Sequence, residues 1–377
     1  MWYKRFMQRE KTTESRFGMD SDAMAGISAA LGRWYESSKR DLPWRRTQDP
    51  YAIWVSEVML QQTQVNTVIP YYHRFLDRFP GVVELAAADI GEVYKLWEGL
   101  GYYSRARHMH QAAGVMAAET GGKLPTDPDA LRGLPGIGPY IGAAVSSIAF
   151  GLPFAVVDGN VKRVLARLFL LEPPANNASS IKTFQRVADV LLDQQNPGRH
   201  NQAMMELGAL ICAPNNPRCS KCPLTVHCRA FQDSKTVEYP RRIKRPALTY
   251  QHWTSGVIVR KGRILAVQRP ETGLLCGLWE FPCIPLKKED DPLEALVSGL
   301  YKIVGIHVAS PVRITTVNHT YTHFKLIMDV FCCHFKSGRV RLNGPAAFKW
   351  VKPVEITALP LHKAVHKALP ALERCVW

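Results

Sequence analysis

Four of the nine cysteines in this 377-residue chain lie within one short stretch, and their spacing constrains the fold more than any other feature. They follow the pattern C-x6-C-x2-C-x5-C, at Cys212, Cys219, Cys222 and Cys228. Thiolates at this density are typical of a zinc site or of an iron–sulfur cubane. Structural zinc usually takes two close pairs, and only Cys219 and Cys222 form such a pair. The spacing therefore favours a cluster over zinc, because the wide outer arms suit a larger object than one ion.

The other five cysteines are scattered along the chain. A disulfide scaffold would be smaller and more evenly stapled. We therefore expect a reducing compartment and a metal site.

The charge balance indicates the class of partner. Lys and Arg number 48 against 32 Asp and Glu, which gives a net charge of +16. Such an excess favours polyanions, since binding releases counterions from phosphates. No apolar run approaches the roughly 20 residues of a spanning helix, so we expect no membrane partner. Residues 1–22 carry charges of both signs and are interpreted as a tail, not as a secretory signal.

The length predicts two domains. Residues up to about 231 have helical periodicity and capping signals. The predicted helices cover 25–37, 51–64, 70–79, about 89–99 with an Asp89/Glu92 capping box, 104–121, 139–150, 159–171, 179–192 and 199–211. This part predicts an all-α domain at 23–231.

The pattern changes after Phe231. Residues 232–250 are basic and contain two prolines, a composition typical of linkers. Beyond them, β-branched runs at 255–259 and 263–269 flank a tight turn and predict a hairpin. A helix at 292–304 and strands at 312–317, 324–335 and 348–351 complete an α+β domain at 251–377.

A glycine-rich turn lies between two helical segments. It reads Leu134-Pro-Gly-Ile-Gly, and Gly136 and Gly138 allow the backbone to turn tightly and expose its N–H groups. Together with the N-terminus of the next helix, those groups can bind a phosphate. The alternative is a plain helix–helix turn.

Two carboxylates are candidate catalytic groups. Asp158 follows an apolar stretch and precedes a helix, so an N-cap and a catalytic role are equally well supported. Glu57 lies in an apolar helical run, either at the exposed edge or half buried in a pocket. Burial would raise its pKa and make it a candidate acid.

The 134–138 turn, Asp158 and the cysteine spacing together resemble the endonuclease III superfamily of base-excision glycosylases. Within it, SEVMLQQTQ at 56–64, GLGYY at 99–103 and VDGNVKR at 157–163 are similar to the adenine DNA glycosylase (MutY) family. The resemblance extends from about Leu42 to the C-terminus.

This resemblance implies a helix-hairpin-helix glycosylase domain with one 4Fe-4S cluster on the four cysteines. It implies removal of adenine mispaired with 8-oxoguanine or guanine in double-stranded DNA, with the adenine flipped out. Glu57 would protonate the adenine and Asp158 would stabilise the sugar cation, following the two-carboxylate logic of glycoside hydrolysis. Tyr140 and Asn160 would support this centre.

The resemblance also implies a DNA-binding surface. Gln61 and Tyr102 would wedge into the base stack, where a flat tyrosine ring replaces a lost stacking partner. Gln62 and the 134–138 hairpin would contact the same duplex. A second branch of the superfamily uses a lysine nucleophile where this chain has Tyr140, and a phenol cannot form a Schiff base.

The C-terminal domain resembles a Nudix fold. Gly299, Lys302 and Ile303 stand where Nudix hydrolases have Mg²⁺-binding glutamates, so the resemblance implies a domain without hydrolase activity. In the family this domain recognises 8-oxoguanine, and Tyr321-Thr322-His323 stands where the family often has Phe-Ser-His. The alternative for this triplet is a polar strand end.

Three other functions fit parts of the sequence. A bifunctional pyrimidine-lesion glycosylase/lyase lacks its lysine here, and a Nudix phosphohydrolase with a DNA-binding appendage lacks its glutamates. A non-catalytic DNA-binding zinc protein leaves Glu57 unexplained. We expect a monomer in the bacterial cytoplasm, associated with the nucleoid.

Overall fold

The computed structural model describes residues 21–244 and 246–375, so the predicted tail lies almost wholly outside the described residues. Contacts divide the chain into two compact units. The first comprises Met1–Leu76 with Val115–Arg245, and the second Asp77–Gly114 with Pro246–Trp377. This division groups residues by contact, and the domain boundaries at 23–231 and 251–377 stay a prediction.

The part of the chain before the first strand is helical. Its helices are α1 (Ser21–Ser38), α2 (Pro50–Leu60), α3 (Val65–Arg78), α4 (Val82–Ala87), α5 (Ile90–Trp97), α6 (Ser104–Thr120), α7 (Pro128–Gly133), α8 (Pro139–Ile148), α9 (Gly159–Phe169), α10 (Ile181–Leu191), α11 (Pro197–Leu210) and α12 (Arg229–Gln232).

Local signals explain where these helices begin and end. Asp49 caps α2 by accepting from the N–H groups of Tyr51 and Ala52. The helix ends at Leu60, four residues before the predicted end, because Gln61 turns to ψ 112° and Gln62 adopts a positive φ of 57°. The predicted helix at 70–79 begins earlier, at Val65, so that Pro70 lies inside it.

The capping box predicted for α5 is half formed. Asp89 accepts from the N–H of Gly91 over 2.8 Å. The Glu92 carboxylate is bound by Arg78, 14 residues earlier, at 2.5 and 2.8 Å. The short helices α4 and α7 were not predicted, since six residues carry too little periodicity.

The core of the first unit forms where the apolar faces of four helices meet. Ile27 and Leu31 of α1 and Leu165 of α9 pack with Phe184 of α10 and Leu207 of α11, all fully or almost fully buried. Burying these side chains is the main stabilising term of such a bundle.

The second unit contains a seven-stranded sheet. Its strands are β1 (Thr249–Arg260), β2 (Arg263–Gln268), β3 (Trp279–Glu280), β4 (Cys283–Leu286), β5 (Ile306–Thr320), β6 (Phe324–Gly338) and β7 (Ala347–Val351). The order is β3-β2-β1-β6-β5, with β4 paired to β1 and β7 paired to β2. β1 and β6 run parallel, with Val257 beside Cys332, and the other pairs are antiparallel.

Both faces of this sheet are covered. Helix α13 (Pro292–Val304) places Leu296 and Leu300 against one apolar cluster, and α14 (Lys363–Ala368) places Ala364 and Val365 against the other. The β1–β2 turn places Lys261 and Gly262 at positive φ, as a two-residue hairpin turn requires.

The predicted fold class is confirmed, with an all-α part and an α+β part. The predicted helix at 292–304 agrees with α13. The predicted strands lie within β1, β2, β5, β6 and β7, except that the one at 263–269 runs one residue past the end of β2. A disulfide joins Cys332 of β6 to Cys375, a pairing that was not predicted from the sequence. In the described part of the chain, no helix combines the length and apolar character needed to cross a membrane.

Candidate active site

Glu57 lies near the end of α2, a helix whose residues from Tyr51 to Met59 are all buried. The side chain is 4% exposed, so its carboxylate is removed from water. This burial raises the pKa of Glu57 to about 7. A hydrogen bond from Tyr140 and the charge of Arg45 lower it, and the negative charge of Asp158 raises it. Glu57 is therefore an acid that can hold its proton near neutral pH.

Tyr140 supplies the hydrogen bond to that acid. It is the second residue of α8, and its hydroxyl donates to Oε2 of Glu57 over 2.6 Å. Burial and the neighbouring Glu57 carboxyl hold the pKa of Tyr140 well above its usual range. The phenol therefore stays a proton donor.

The predicted hairpin lies immediately before Tyr140. Leu134 follows α7, and the N–H of Ile137 donates to its carbonyl over 3.1 Å. Gly136 has a φ of 77°, and Gly138 is the N-cap of α8. The string therefore forms a tight turn between two helices, as predicted, and its phosphate-binding role stays a prediction.

Asp158 is the N-cap of α9, and its Oδ1 accepts from the N–H of Val161 over 2.7 Å. Its Oδ2 accepts from Nδ2 of Asn160 over 2.9 Å. Burial raises the pKa of Asp158, and these hydrogen bonds oppose the rise. The capping role is present in the structure, and the negative charge of Asp158 also acts on the Glu57 carboxyl. Capping and catalysis are therefore compatible at this residue.

Arg163, for which no role was predicted from the sequence, holds Asn160 in place. Its Nη2 donates to Oδ1 of Asn160 over 2.8 Å, which turns the amide nitrogen towards Asp158. The same guanidinium donates to the carbonyls of Gly208 and Cys212, both at 2.7 Å. The available signal was an arginine among the apolar residues of the predicted helix at 159–171.

Gly208 lets α11 approach the start of α9. A Cβ built on it would lie 2.6 Å from the Cβ and 3.1 Å from the Cα of Asn160. Any side chain there must displace Asn160. The requirement depends on a partner 48 positions away, so it left no local signal in the sequence.

A buried ionic group adjoins the site. The Glu206 side chain is 1% exposed and accepts from Nε of Arg40 and Nη1 of Arg45, both at 2.9 Å. Burial raises the pKa of Glu206, but the hydrogen bonds from the two arginines outweigh it and lower that pKa to about 2. The charge of Arg45 in turn lowers the pKa of Glu57. None of these three residues was predicted from the sequence, because their pairing joins distant parts of the chain.

The four predicted metal ligands line one cavity. Its walls also include Arg167, Ile211, Pro217, Thr225, Phe231 and Thr236. Burial, and then the neighbouring thiols, raise the pKa of Cys222 to about 11. Nη1 of Arg167 lies 3.3 Å from Sγ of Cys212. Four convergent soft donors beside a cation fit an anionic thiolate cluster.

The structure was also compared with the geometry that a single metal ion requires. Within 21–244 and 246–375, no three His, Cys, Asp or Glu side chains form a site for one metal ion.

The predicted DNA-wedge residues lie at chain turns. Gln61 and Gln62 follow the end of α2, with Gln62 exposed at positive φ. In the second unit, Tyr102 has a φ of 50° and is 37% exposed in the loop between α5 and α6. Its hydroxyl lies 2.7 Å from Oγ1 of Thr322. No local pattern in the sequence predicts this contact between residues 220 positions apart.

The predicted recognition triplet lies between β5 and β6. Tyr321 is partly buried, and its ring packs against Phe324 with centroids 4.9 Å apart. Thr322 and His323 are exposed. Of the triplet, these two therefore present polar groups to solvent.

Helix α13 has no room for a carboxylate at Gly299. A Cβ there would lie 2.5 Å from Cγ1 of Ile284. Together with Lys302 and Ile303, this leaves the helix without the glutamates that hold Mg²⁺ in Nudix hydrolases.

Two protein-family models match separate parts of the chain. The model of the "HhH-GPD superfamily base excision DNA repair protein" matches residues 55–188, and the model of the "NUDIX domain" matches residues 254–371.

Curated relatives match most of the chain. The human adenine DNA glycosylase is 34% identical over 92% of this chain and 74% of its own length. The adenine DNA glycosylase of Buchnera aphidicola subsp. Baizongia pistaciae is 31% identical over 85% of this chain and 92% of its own.

Solved structures match the helical part. A thermostable thymine-DNA glycosylase has a TM-score of 0.52 and 28% identity, covering 56% of this chain and 98% of that one. Endonuclease III trapped as a covalent DNA intermediate has a TM-score of 0.50 and 20% identity, covering 57% of this chain and 99% of that one, and shows the fold alone.

Proposed function

Since this chain belongs to the adenine DNA glycosylase family, we propose that it hydrolyses the N-glycosidic bond of adenine mispaired with 8-oxoguanine or guanine in duplex DNA. Membership of this family makes the chain a monofunctional base-excision glycosylase. The proposal concerns the base that lies opposite the adenine. The observation that carries the proposal is the hydrogen-bonded pair of Tyr140 and Glu57, whose acid has a pKa of about 7.

Adenine leaves the sugar poorly unless its ring is protonated, and Glu57 is the acid placed to protonate it. As the bond breaks, positive charge develops on the sugar, and the Asp158 carboxylate stabilises that charge. Asn160 and Arg163 keep the Asp158 carboxylate in one orientation. Water then adds to the sugar, and an abasic site remains.

We propose that Cys212, Cys219, Cys222 and Cys228 hold one 4Fe-4S cluster. The support is their convergence on one cavity beside Arg167, whose guanidinium also donates to the carbonyls of Ala213 and Pro214. When bound, the cluster supplies a rigid support for the loop at 212–228. Arg163 donates to the Cys212 carbonyl, so the shape of that loop bears on the Asn160 and Asp158 side chains.

The second unit is proposed to recognise the 8-oxoguanine. Thr322 and His323 are exposed hydrogen-bonding side chains, and Tyr102 lies against Thr322. A stacking ring beside a hydroxyl can read a base by its face and its edge together. We further propose that the protein acts as a monomer in the bacterial cytoplasm, at the nucleoid.

The test is a single-turnover assay on duplexes that differ only in the base opposite adenine. Adenine should be released from 8-oxoguanine:adenine fastest, then from guanine:adenine, and not measurably from thymine:adenine. Strand breaks should appear only after alkali, and borohydride should trap no adduct, because the enzyme forms no Schiff base. Equal release from all three duplexes would contradict the proposal.

A further inference from the structure

The loop between α5 and α6 begins with a carboxylate that collects several donors within the second unit. Oε1 of Glu98 accepts from the N–H of Leu361 over 2.8 Å and from Nε2 of His366 over 2.7 Å. Its Oε2 is bound by Lys95. The side chain is only 16% exposed, so these charge-assisted bonds are partly shielded from water. Glu98 thus fastens residues 361–366 to the loop that carries Tyr102.

The fastened segment continues directly to the predicted recognition triplet. His362 follows Leu361 and is fully buried, with Nε2 donating to Glu280 over 3.0 Å. Its Nδ1 lies 3.4 Å from the hydroxyl of Tyr321. The ring of His362 therefore bridges Glu280 and Tyr321, one through each nitrogen. The position of His362 therefore bears on the position of Tyr321.

These contacts close into a ring. Thr322 follows Tyr321, and its hydroxyl meets that of Tyr102 at 2.7 Å, while Tyr102 stands four residues after Glu98. The neighbouring links are longer: Tyr103 donates to the Leu361 carbonyl at 3.4 Å and Lys95 to the Leu359 carbonyl at 3.5 Å. Among the bonds that join the Tyr102 loop to residues 361–366, the short charge-assisted ones are those of Glu98.

We infer that Glu98 is a positioning residue for the discrimination of 8-oxoguanine from guanine. It holds the 361–366 segment, and through His362 and Tyr321 it holds the Thr322 hydroxyl where it meets Tyr102. The inference rests on the proposed function, since it assigns no contact between Glu98 and DNA. If Tyr102 stacks beside the base that Thr322 contacts, the two side chains must keep a fixed separation, and Glu98 maintains it.

The test compares single-turnover rates on 8-oxoguanine:adenine and guanine:adenine duplexes. Glu98→Ala should lower the ratio of the two rates about tenfold, which is the scale of one charge-assisted hydrogen bond. The loss should fall mainly on the 8-oxoguanine substrate. Glu98→Gln should restore part of the ratio, because its amide oxygen still accepts from the N–H of Leu361.

The matched control is Glu92→Ala. Glu92 lies in α5 and is also ion-paired, but its partner is Arg78 and it does not contact the 361–366 segment. Its ratio should equal that of the parent protein. Hydrogen exchange supplies a readout independent of activity: the amides of Leu361 and of residues 319–323 should exchange faster in Glu98→Ala than in Glu92→Ala.

The outcomes separate the inference from the function beneath it. A parent protein that treats both duplexes equally contradicts the proposed function and the inference together. A parent that discriminates, with a Glu98→Ala variant that discriminates equally well, overturns the role of Glu98 alone. If Glu98→Ala does not fold, as judged by circular dichroism, His366→Ala removes one of its partners and must lower the same ratio.

Discussion

The hydroxyl of Tyr140 donates to Oε2 of Glu57 over 2.6 Å, and the two residues stand 83 positions apart in the chain. A hydrogen bond to a carboxylate favours its charged form, so this contact opposes the rise in pKa that burial imposes. The same tyrosine therefore orients the acid and limits how strongly it holds its proton.

The pH dependence of base removal follows from this pair. Glu57 must be protonated to act, so the rate should be constant below about pH 7 and fall about tenfold per unit above the Glu57 pKa of about 7. Tyr140→Phe removes a contribution that lowers this pKa, so the falling limb should move to higher pH. Single-turnover rates between pH 6 and 9 measure it. Tyr72→Phe, at another buried tyrosine, is the control, and a limb that moves to lower pH in Tyr140→Phe would refute the assignment.

Asp158→Asn separates capping from catalysis. The amide oxygen can still accept from the N–H of Val161, so the helix should keep its cap. The negative charge is lost, and the rate of base removal should fall on the order of 10³-fold, as when electrostatic stabilisation of a transition state is removed. Asp127→Asn, at the N-cap of α7, is the matched control and should keep the parent rate. Parent activity in Asp158→Asn would show that Asp158 only caps.

Gly208→Ala should damage both stability and activity. The added Cβ meets the Cα and Cβ of Asn160, which belong to the site and cannot move freely. Overpacking of this kind should cost about 1–3 kcal/mol of unfolding free energy and displace the amide that faces Asp158. Gly114→Ala, in α6 with nothing near the new Cβ, should instead stabilise by about 0.5–1 kcal/mol. Urea unfolding and single-turnover rates decide the matter, and equal stability of the two variants counts against the close packing.

Metal content tests the cysteine cavity. Protein purified aerobically should be yellow-brown, with broad visible absorption and about four irons per chain. Cys219→Ser should lower soluble yield and DNA binding together, because metal binding is coupled to local folding. Cys276→Ser, at a buried free thiol of the second unit, should retain the iron. Stoichiometric zinc without iron would refute the cluster.

Recognition is tested by the double replacement Thr322→Ala and His323→Ala. Losing the two exposed hydrogen-bonding groups should weaken the preference for 8-oxoguanine over guanine, at roughly 1–3 kcal/mol per good contact to a base edge. His334→Ala with Ser337→Ala removes two exposed polar side chains near the other end of β6 and serves as the control. Rates on the two mismatched duplexes give the preference directly. An unchanged preference would leave Thr322 and His323 as polar residues at a strand end.

The elements of this fold could be predicted from sequence wherever the signal was local. Asp89 before α5, Gly121 after α6 and the prolines that open α8 and α13 act on their own neighbourhoods, so their helices were predicted to within a few residues. The turn at 134–138 and the cysteine site could also be predicted, because backbone freedom and thiol chemistry are properties of the residues themselves. Glu57 was recognisable as a polar residue in an apolar helix.

Packing between distant segments decided the remainder. Whether Glu57 was edge or interior, and which hydroxyl meets it, depended on how α2 packs against α8. Arg163, Gly208 and the Glu206 carboxylate gain their importance from partners 45 or more positions away. The Tyr102–Thr322 contact joins residues 220 positions apart. The pKa of a side chain and the space for a Cβ at a glycine are set by neighbours in space. Those neighbours come together only when the chain has folded.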